Sequence, residues 1–271
     1  MAETERKGGR LLRVYTIGVM VYLVLPILVV ILFGFNDSQG RFNFAWQGFT
    51  LDWYRQLFDI PDLTTAIRNS LSVAAVSSLI ATILGTMLAL ALQRYRFRFR
   101  NGFNLMLFMN ISSPEIVTGA SLLTLFVAAQ FQRGFLTILI AHVAFSIVFV
   151  TITVRARLAG FDESLEEAAQ DLGANPWRAF WKVTFPLIFP GILAGGMLAF
   201  ALSIDDYVIT SFVAGQTLTF PLWVVGASRL GIPPQVNVMA TLIFVGGLAL
   251  ATTSILMQTR AAQLAKRPAR P

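Results

Sequence analysis

The sequence predicts an all-α, polytopic membrane protein with six transmembrane helices, and three observations carry that expectation. Of its 271 residues, 56% are hydrophobic and only 13% are charged, whereas a soluble domain carries about 25% charged residues. Six apolar runs reach the roughly 20 residues that a helix needs to cross the hydrocarbon core. Basic residues cluster at alternate ends of those runs, as topology signals do. The runs lie at about 11–34, 66–92, 103–129, 134–155, 187–213 and 236–258. Together they make residues 1–271 a single transmembrane domain.

The first run follows Arg6, Lys7, Arg10 and Arg13. It is too long for the apolar core of a signal peptide, and no small-x-small cleavage site follows Phe33-Gly34-Phe35, so it reads as a retained helix. The loop of about 35–65 carries Asp37, Asp52, Asp59 and Asp62 beside Trp46, Trp53, Tyr54 and Phe58. That mixture suits an interfacial aromatic belt, or a docking surface for a partner outside the membrane. The third run contains Ser112-Ser113-Pro114-Glu115 and then Gly119. Proline removes a backbone donor there, and a membrane tolerates such a break only where it is buried in protein or lines a wet cavity. The fourth run holds the single histidine, His142, expected to be packed and hydrogen-bonded; one histidine cannot build a zinc site. The fifth opens with Gly191-Ile192-Leu193-Ala194-Gly195, a small-xxx-small pattern suited to close helix packing, and later contains Ser203-Ile204-Asp205-Asp206-Tyr207. Between runs five and six, the apolar stretch Leu222 to Ala227 lies among Pro221, Gly231, Pro233 and Pro234, which fits a short re-entrant or interfacial helix.

Orientation follows from Lys and Arg. Arg6, Lys7, Arg10, Arg13; Arg94, Arg96, Arg98, Arg100; Arg155, Arg157, Arg178, Lys182; and Arg260, Lys266, Arg267, Arg270 fall on one side. Only Arg41, Arg55, Arg68, Arg133 and Arg229 fall on the other. The positive-inside rule puts the larger group, both termini and the loop 160–186 in the cytoplasm of a bacterial inner membrane. The net charge of +7 is therefore topology, and no nucleic-acid partner is expected. With no cysteine, the chain has neither disulfides nor Cys-ligated metals; no metal site is expected.

The loop 160–186 is the most informative stretch. Asp162 is placed to cap a helix whose first turn carries Glu163, Glu166 and Glu167, where the helix dipole favours acids. Gly173 suits its C-terminal cap. Asn175-Pro176 starts a second helix, with proline where its missing N–H costs nothing, and Trp177, Phe180 and Trp181 give it an apolar face. Pro186 is expected to end it. The spacing Glu167-Ala168-Ala169, Gly173, Val183, Phe185, Pro186 resembles the coupling motif of permease subunits of ATP-binding-cassette importers. Val183 and Phe185 stand where that family has Ile and Leu. The resemblance implies the type I importer permease fold. It implies a loop that sits in a groove of a cytoplasmic ATPase dimer, a second homologous permease and an extracytoplasmic substrate-binding protein as partners, and contact with membrane lipid.

Four further stretches resemble the second permease subunit of spermidine/putrescine importers: Trp46-Gln47-Gly48-Phe49-Thr50, Ser113-Pro114-Glu115-Ile116-Val117, Leu202-Ser203-Ile204-Asp205-Asp206 and Arg229 to Pro234. That resemblance implies polyamine transport by alternating access, with Trp46, Glu115, Ser203, Asp205 and Asp206 at positions associated with it. Glu115 falls where an Asp is common. Glu115, Asp205 and Asp206 are the acids placed inside the runs, where a carboxylate costs about 2.5–3.5 kcal/mol on insertion scales. No Lys or Arg lies well inside a run, so these acids are not expected to pair within the chain. Adjacent helical positions diverge by about 100°, so one of Asp205 and Asp206 is expected to face the pathway and the other a neighbouring helix. Another small cationic or amino substrate, or a gradient-driven carrier, are the alternatives. The chain holds no G-x-x-x-x-G-K-[ST] phosphate loop, and its lysines are Lys7, Lys182 and Lys266. ATP and Mg²⁺ are therefore expected on the partner ATPase; this chain has no catalytic constellation and is not read as an enzyme.

Overall fold

The computed structural model describes residues 2–40, 42–160, 162 and 164–265. Arg41, Glu163, Lys266, Arg267 and Arg270, which entered the charge and capping arguments, lie outside the described residues. Two compact units share the chain: residues 1–61 with 224–249, and residues 62–223 with 250–271.

The first unit contains α1 (Ala2–Phe33), the short α2 (Asp52–Arg55) and much of α12 (Pro234–Ala265). Within α1, Leu12–Phe33 is long and apolar enough to cross a membrane, and its side chains are mostly exposed, as lipid-facing residues are. The segment after α1 folds back on itself through one antiparallel bridge between Asn36 and Phe49.

The second unit holds α3 (Pro61–Arg94), α4 (Arg100–Ser112), α5 (Glu115–Ala128), α6 (Phe135–Leu158), α7 (Ser164–Asp171), α8 (Pro176–Ala179), α9 (Phe185–Asp205) and α10 (Val208–Val213). The helix α11 (Phe220–Ser228) forms where the sequence predicts a short one. Helix α3 starts on proline, has Asp62 in its first turn and Arg94 in its last, so its ends match the helix dipole. Chain reversal between α4 and α5 follows from Pro114: both it and the residue before it, Ser113, are extended, because proline disfavours α geometry in its predecessor. The two helices are bent by 111° at this break. Counting them as one interrupted span gives six candidate spans, five of them single helices.

The fifth span differs from the sequence expectation at both ends. Helix runs from Pro176 to Asp205, so Pro186 lies inside it. Proline cannot donate to the carbonyl four residues back, and a π-turn over Phe180–Thr184 absorbs the mismatch: the Phe185 N–H donates to the Phe180 carbonyl. At the other end the span stops at Asp205 rather than 213. Asp206 is extended, with φ −67° and ψ 116°, and α10 begins at Val208.

Packing in this unit relies on small residues, as expected where lipid supplies no hydrophobic drive. A Cβ at Gly85 would lie 2.8 Å from Val150 Cβ, one at Gly191 2.7 Å from Arg157 Cβ, and one at Gly195 3.3 Å from the Val150 backbone. The glycines predicted to pack closely thus bring α9 onto α6. Two apolar clusters flank that contact. Val73, Phe126, Ile138, Ala141, Ile209 and Val213 join α3, α5, α6 and α10. Ala81, Ala89, Val150, Val154, Leu158 and Ile188 join α3, α6 and α9. Gly85→Ala should cost about 1–3 kcal/mol by overpacking and lower the thermal unfolding midpoint of the purified protein. Gly102→Ala, in α4 with open space around it, should leave the midpoint unchanged or raise it slightly.

Candidate functional site

The break between α9 and α10 is built from buried polar groups. Asp206 precedes the N-cap residue of α10, and its carboxylate accepts from the backbone N–H of Ile209 at 3.3 Å and of Thr210 at 2.7 Å, and from the Thr210 hydroxyl at 2.6 Å. These are donors that a helix N-terminus leaves without partners. His142 of α6 stands against the same carboxylate, with Nε2 3.2 Å from Asp206 Oδ2 and 2.9 Å from Thr210 Oγ1. Its other nitrogen, Nδ1, is 2.7 Å from Ser203 Oγ, which lies 3.0 Å from Ser77 Oγ on α3. His142 is 3% exposed and the Asp206 side chain 7%. The sequence reading that His142 is packed and hydrogen-bonded holds. The expectation that none of the acids pairs within the chain does not: Asp206 pairs with His142, an option that counting Lys and Arg alone could not reveal.

The five residues singled out for the pathway therefore separate. Ser203 and Asp206 are buried in one network. Asp205, the last residue of α9, is exposed, and among the described residues it forms no ion pair. It sits beside the last carbonyls of α9, which lack intrahelical donors and carry the negative end of the dipole. Glu115 is the first residue of α5, exposed where the helix N-terminus favours a carboxylate. The two half-helices that follow the breaks pack together: a Cβ at Gly119 would lie 2.5 Å from Phe212 Cδ2 and 3.3 Å from Ile209 Cα.

Trp46 belongs to the first unit. It is 47% exposed and meets Phe33 edge-on at 6.5 Å. Its backbone is clamped from both sides by one buried side chain that no sequence pattern singles out. Asn36 Nδ2 donates to Ala45 O at 2.7 Å, and the Gln47 N–H donates to Asn36 Oδ1 at 2.6 Å. Asn43 extends the knot, accepting from Asn36 Nδ2 at 2.6 Å and donating to Phe33 O at 2.7 Å.

The loop between α6 and α9 takes the two-helix form read from the sequence. Asp162 accepts from the Ser164 N–H at 3.0 Å, and its hydrogen bonds with Ser164 hold its carboxyl below the ordinary carboxylate value. Helix α7 closes with Gly173 at φ +88°; Gly173 N–H donates to Gln170 O and Ala174 N–H to Ala169 O, the paired bonds of a Schellman cap. Asn175 caps α8 by accepting from the Arg178 N–H, with Pro176 following. Glu167, Ala168, Gly173 and Pro186 are exposed, and Ala169 is half-buried. Trp177, 69% exposed, opens a file of rings that continues through Trp181, Phe185 and Phe189.

Reading the arginines only as topology signals missed how this loop is held. Arg94, at the end of α3, donates through Nη2 to Glu166 Oε2. The buried Thr184 hydroxyl donates to the same carboxylate oxygen at 2.7 Å, and Arg94 lies over the Phe180 ring at 5.9 Å. One carboxylate thus joins α3, α7 and the π-turn. Among the described residues no group of His, Asp and Glu could hold a metal ion.

Residues 81–269 match the family described as "Binding-protein-dependent transport system inner membrane component". The spermidine/putrescine transport system permease protein PotC of Escherichia coli (strain K12) is 41% identical over 251 residues, covering 92% of this chain and 94% of PotC. The putrescine transport system permease protein PotI of the same organism is 41% identical over 230 residues, covering 82% and 81%. Among solved structures, a bacterial ABC transporter involved in the import of the acidic polysaccharide alginate matches with a TM-score of 0.66 at 18% identity, covering 94% of this chain and 97% of that one. An amino acid ABC transporter matches at 0.60 and 17% identity, covering 78% and 99%. At such identities the structural matches establish the fold, that of ABC importer permeases.

Three variants test the local geometry without reference to substrate. Glu166→Gln weakens charge-assisted hydrogen bonds worth about 1.5–3 kcal/mol each; trypsin cleavage at Arg178 and Lys182 should speed up several-fold on the order of what that loss permits. Asn36→Ala removes the clamp at Ala45 and Gln47 and should lower the unfolding midpoint, whereas Trp46→Ala, with its backbone still held, should lower it less.

Proposed function

The chain belongs to the binding-protein-dependent transport system inner membrane components, and from that premise we propose that it is the permease subunit of a polyamine importer, moving spermidine or putrescine into the cytoplasm. The observation that carries this reading is the 41% identity to PotC across 92% of the chain; the likeness to PotI supports it independently. A polyamine is a flexible apolar chain with several positive charges. Exposed carboxylates at helix breaks suit such a cargo, and at Asp205 the C-terminal carbonyls of α9 add to the negative end. Asp205 at the end of α9 and Glu115 at the start of α5 are the stops we assign. Trp46 contributes an aromatic face for cation–π contact. Each stop is weak, so the cation leaves as readily as it enters.

The same reading gives the partners their places. The loop with Glu167, Ala168, Ala169, Gly173 and Pro186 faces the cytoplasm and docks on an ATPase dimer that binds ATP and Mg²⁺. A second homologous permease completes the pathway, and an extracytoplasmic binding protein delivers the substrate. Both termini lie in the cytoplasm, as the basic residues require. Mechanical coupling has a direct route. The helix from Pro176 to Asp205 spans 30 residues, about 45 Å at 1.5 Å per residue. It begins in the docking loop and ends at the cation stop. The Glu166 junction ties the loop to α3 as well, so a displacement of the loop moves two spans together.

The test is substrate-stimulated ATP hydrolysis by the complete complex in vesicles, loaded with binding protein and offered spermidine, putrescine, an amino acid or a sugar. Stimulation by the polyamines alone is expected. Stimulation by the amino acid or sugar instead would overturn the substrate assignment, and uptake by this chain alone on an ion gradient would overturn the importer reading. Gly173→Trp should break coupling. A non-glycine residue at that positive φ costs about 1–3 kcal/mol, and the ring would obstruct docking. Polyamine uptake should fall by at least about tenfold, the equivalent of 1.4 kcal/mol, in a complex that still binds the loaded binding protein.

A further inference from the structure

Asp205 and Asp206 are neighbours in sequence, yet the network around His142 gives them different work. The Asp206 carboxylate is saturated. It accepts from two backbone N–H groups, one hydroxyl and one imidazole, and its side chain is buried. Asp205 is exposed, with no ion pair among the described residues. Holding Asp205 in place falls to the residues beside it, Ser203 two positions before and Asp206 one after. Both are bound by opposite edges of the same imidazole.

The hydrogen-bond role of Nε2 in that bridge is fixed by elimination. Thr210 spends its hydroxyl proton on Asp206 Oδ2, so both oxygens within reach of His142 Nε2 are acceptors. Nε2 therefore carries the proton. Nδ1 is hydrogen-bonded to the Ser203 hydroxyl, and the Ser77 hydroxyl extends the chain behind it. One ring thus spans the break, holding the last turn of α9 through Nδ1 and the first turn of α10 through Nε2. No proline or glycine stands between Asp205 and Val208 to set the angle there. The angle is set by the bridge.

We infer that His142 is a positioning residue for cation selectivity: by bridging Ser203 and Asp206 it aims the Asp205 carboxylate at the pathway, while Asp206 serves as a helix cap and does not touch the substrate. The inference rests on the reading that Asp205 is a stop for a polyamine. It separates His142 from a merely structural histidine, because substrate affinity must respond to which of the two ring nitrogens is replaced.

Asparagine places its amide near the Nδ1 position, and glutamine places its amide near Nε2. In the reconstituted complex with its binding protein, the KM for spermidine-driven ATP hydrolysis is measured for Asp205→Asn, His142→Asn, His142→Gln and the double variant Asp205→Asn/His142→Asn. Asp205→Asn should raise KM by about tenfold, the equivalent of one lost charge contact. His142→Asn should raise it comparably, because the Nε2 contacts to Asp206 and Thr210 are gone. His142→Gln should restore KM to within about twofold of the parent. The double variant should be no worse than Asp205→Asn, as expected for residues acting on one contact. Should His142→Asn fail to assemble, Ser203→Ala replaces it: this removes only the Nδ1 partner and should give a smaller rise, absent in the Asp205→Asn background. A parent-like KM in His142→Asn or Ser203→Ala beside a raised KM in Asp205→Asn overturns the inference. So does an equal rise in His142→Asn and His142→Gln, or effects that multiply in the double variant. An unchanged KM in Asp205→Asn overturns the cation-stop reading itself, and this inference with it.

Discussion

Backbone hydrogen bonding inside the membrane is the constraint on which the rest of this structure depends. Lipid offers no partner for an exposed N–H or C=O, so every interruption of a spanning helix must be answered by the protein. This chain interrupts two spans and answers each differently. At Ser113-Pro114 the missing donor of proline sets the break, and the chain turns through two extended residues. Between Asp205 and Val208 the answer comes from side chains: Asp206 takes up the free N–H groups of α10, and His142 holds the carboxylate that does so. A buried carboxylate is otherwise expensive. Here its charge is spread over several donors, and the site has one stable geometry.

That geometry divides two adjacent acids between support and exposure. The charge that is satisfied internally is closed to further partners, while the exposed one beside it stays open to them. The packing of α5 on α10, through Gly119 and Phe212, brings the two interrupted spans into contact in one unit. The 30-residue helix from Pro176 reaches this region without interruption. It stays helical past Pro186 because the shifted hydrogen bonds of Phe180–Thr184 replace those that Pro186 cannot make.

The elements that the sequence revealed are those with local causes. Apolar runs give the spans, since hydropathy needs no partner to be read. Pro114 gives the first break, Gly173 and Asn175-Pro176 give the caps of the loop between α6 and α9, and Gly191 and Gly195 give the close face of α9. The features that stayed hidden depend on contacts distant in sequence. His142 and Asp206 lie on different helices, and no periodicity links them. The end of α9 is invisible because Val208 to Val213 is apolar and continues the run without proline or glycine. Pro186 looked like a terminator because the π-turn that accommodates it has no sequence signature of its own. Arg94 and Glu166 were each legible, one as a topology signal and one as a dipole-matched acid, but their pairing was not. Of the acids singled out for the pathway, the sequence could not sort the buried Asp206 from the exposed Glu115 and Asp205.

The absence of cysteine from the chain makes the division between the neighbouring residues directly measurable. Single cysteines at Asp205 and at Ser203, in the assembled complex in native membranes, can be challenged with a water-soluble, positively charged thiol reagent. Rapid modification of Asp205→Cys, slowed by added spermidine, is expected, with no modification of Ser203→Cys on the same timescale. Equal labelling of the two positions, or labelling of Ser203→Cys alone, would contradict it.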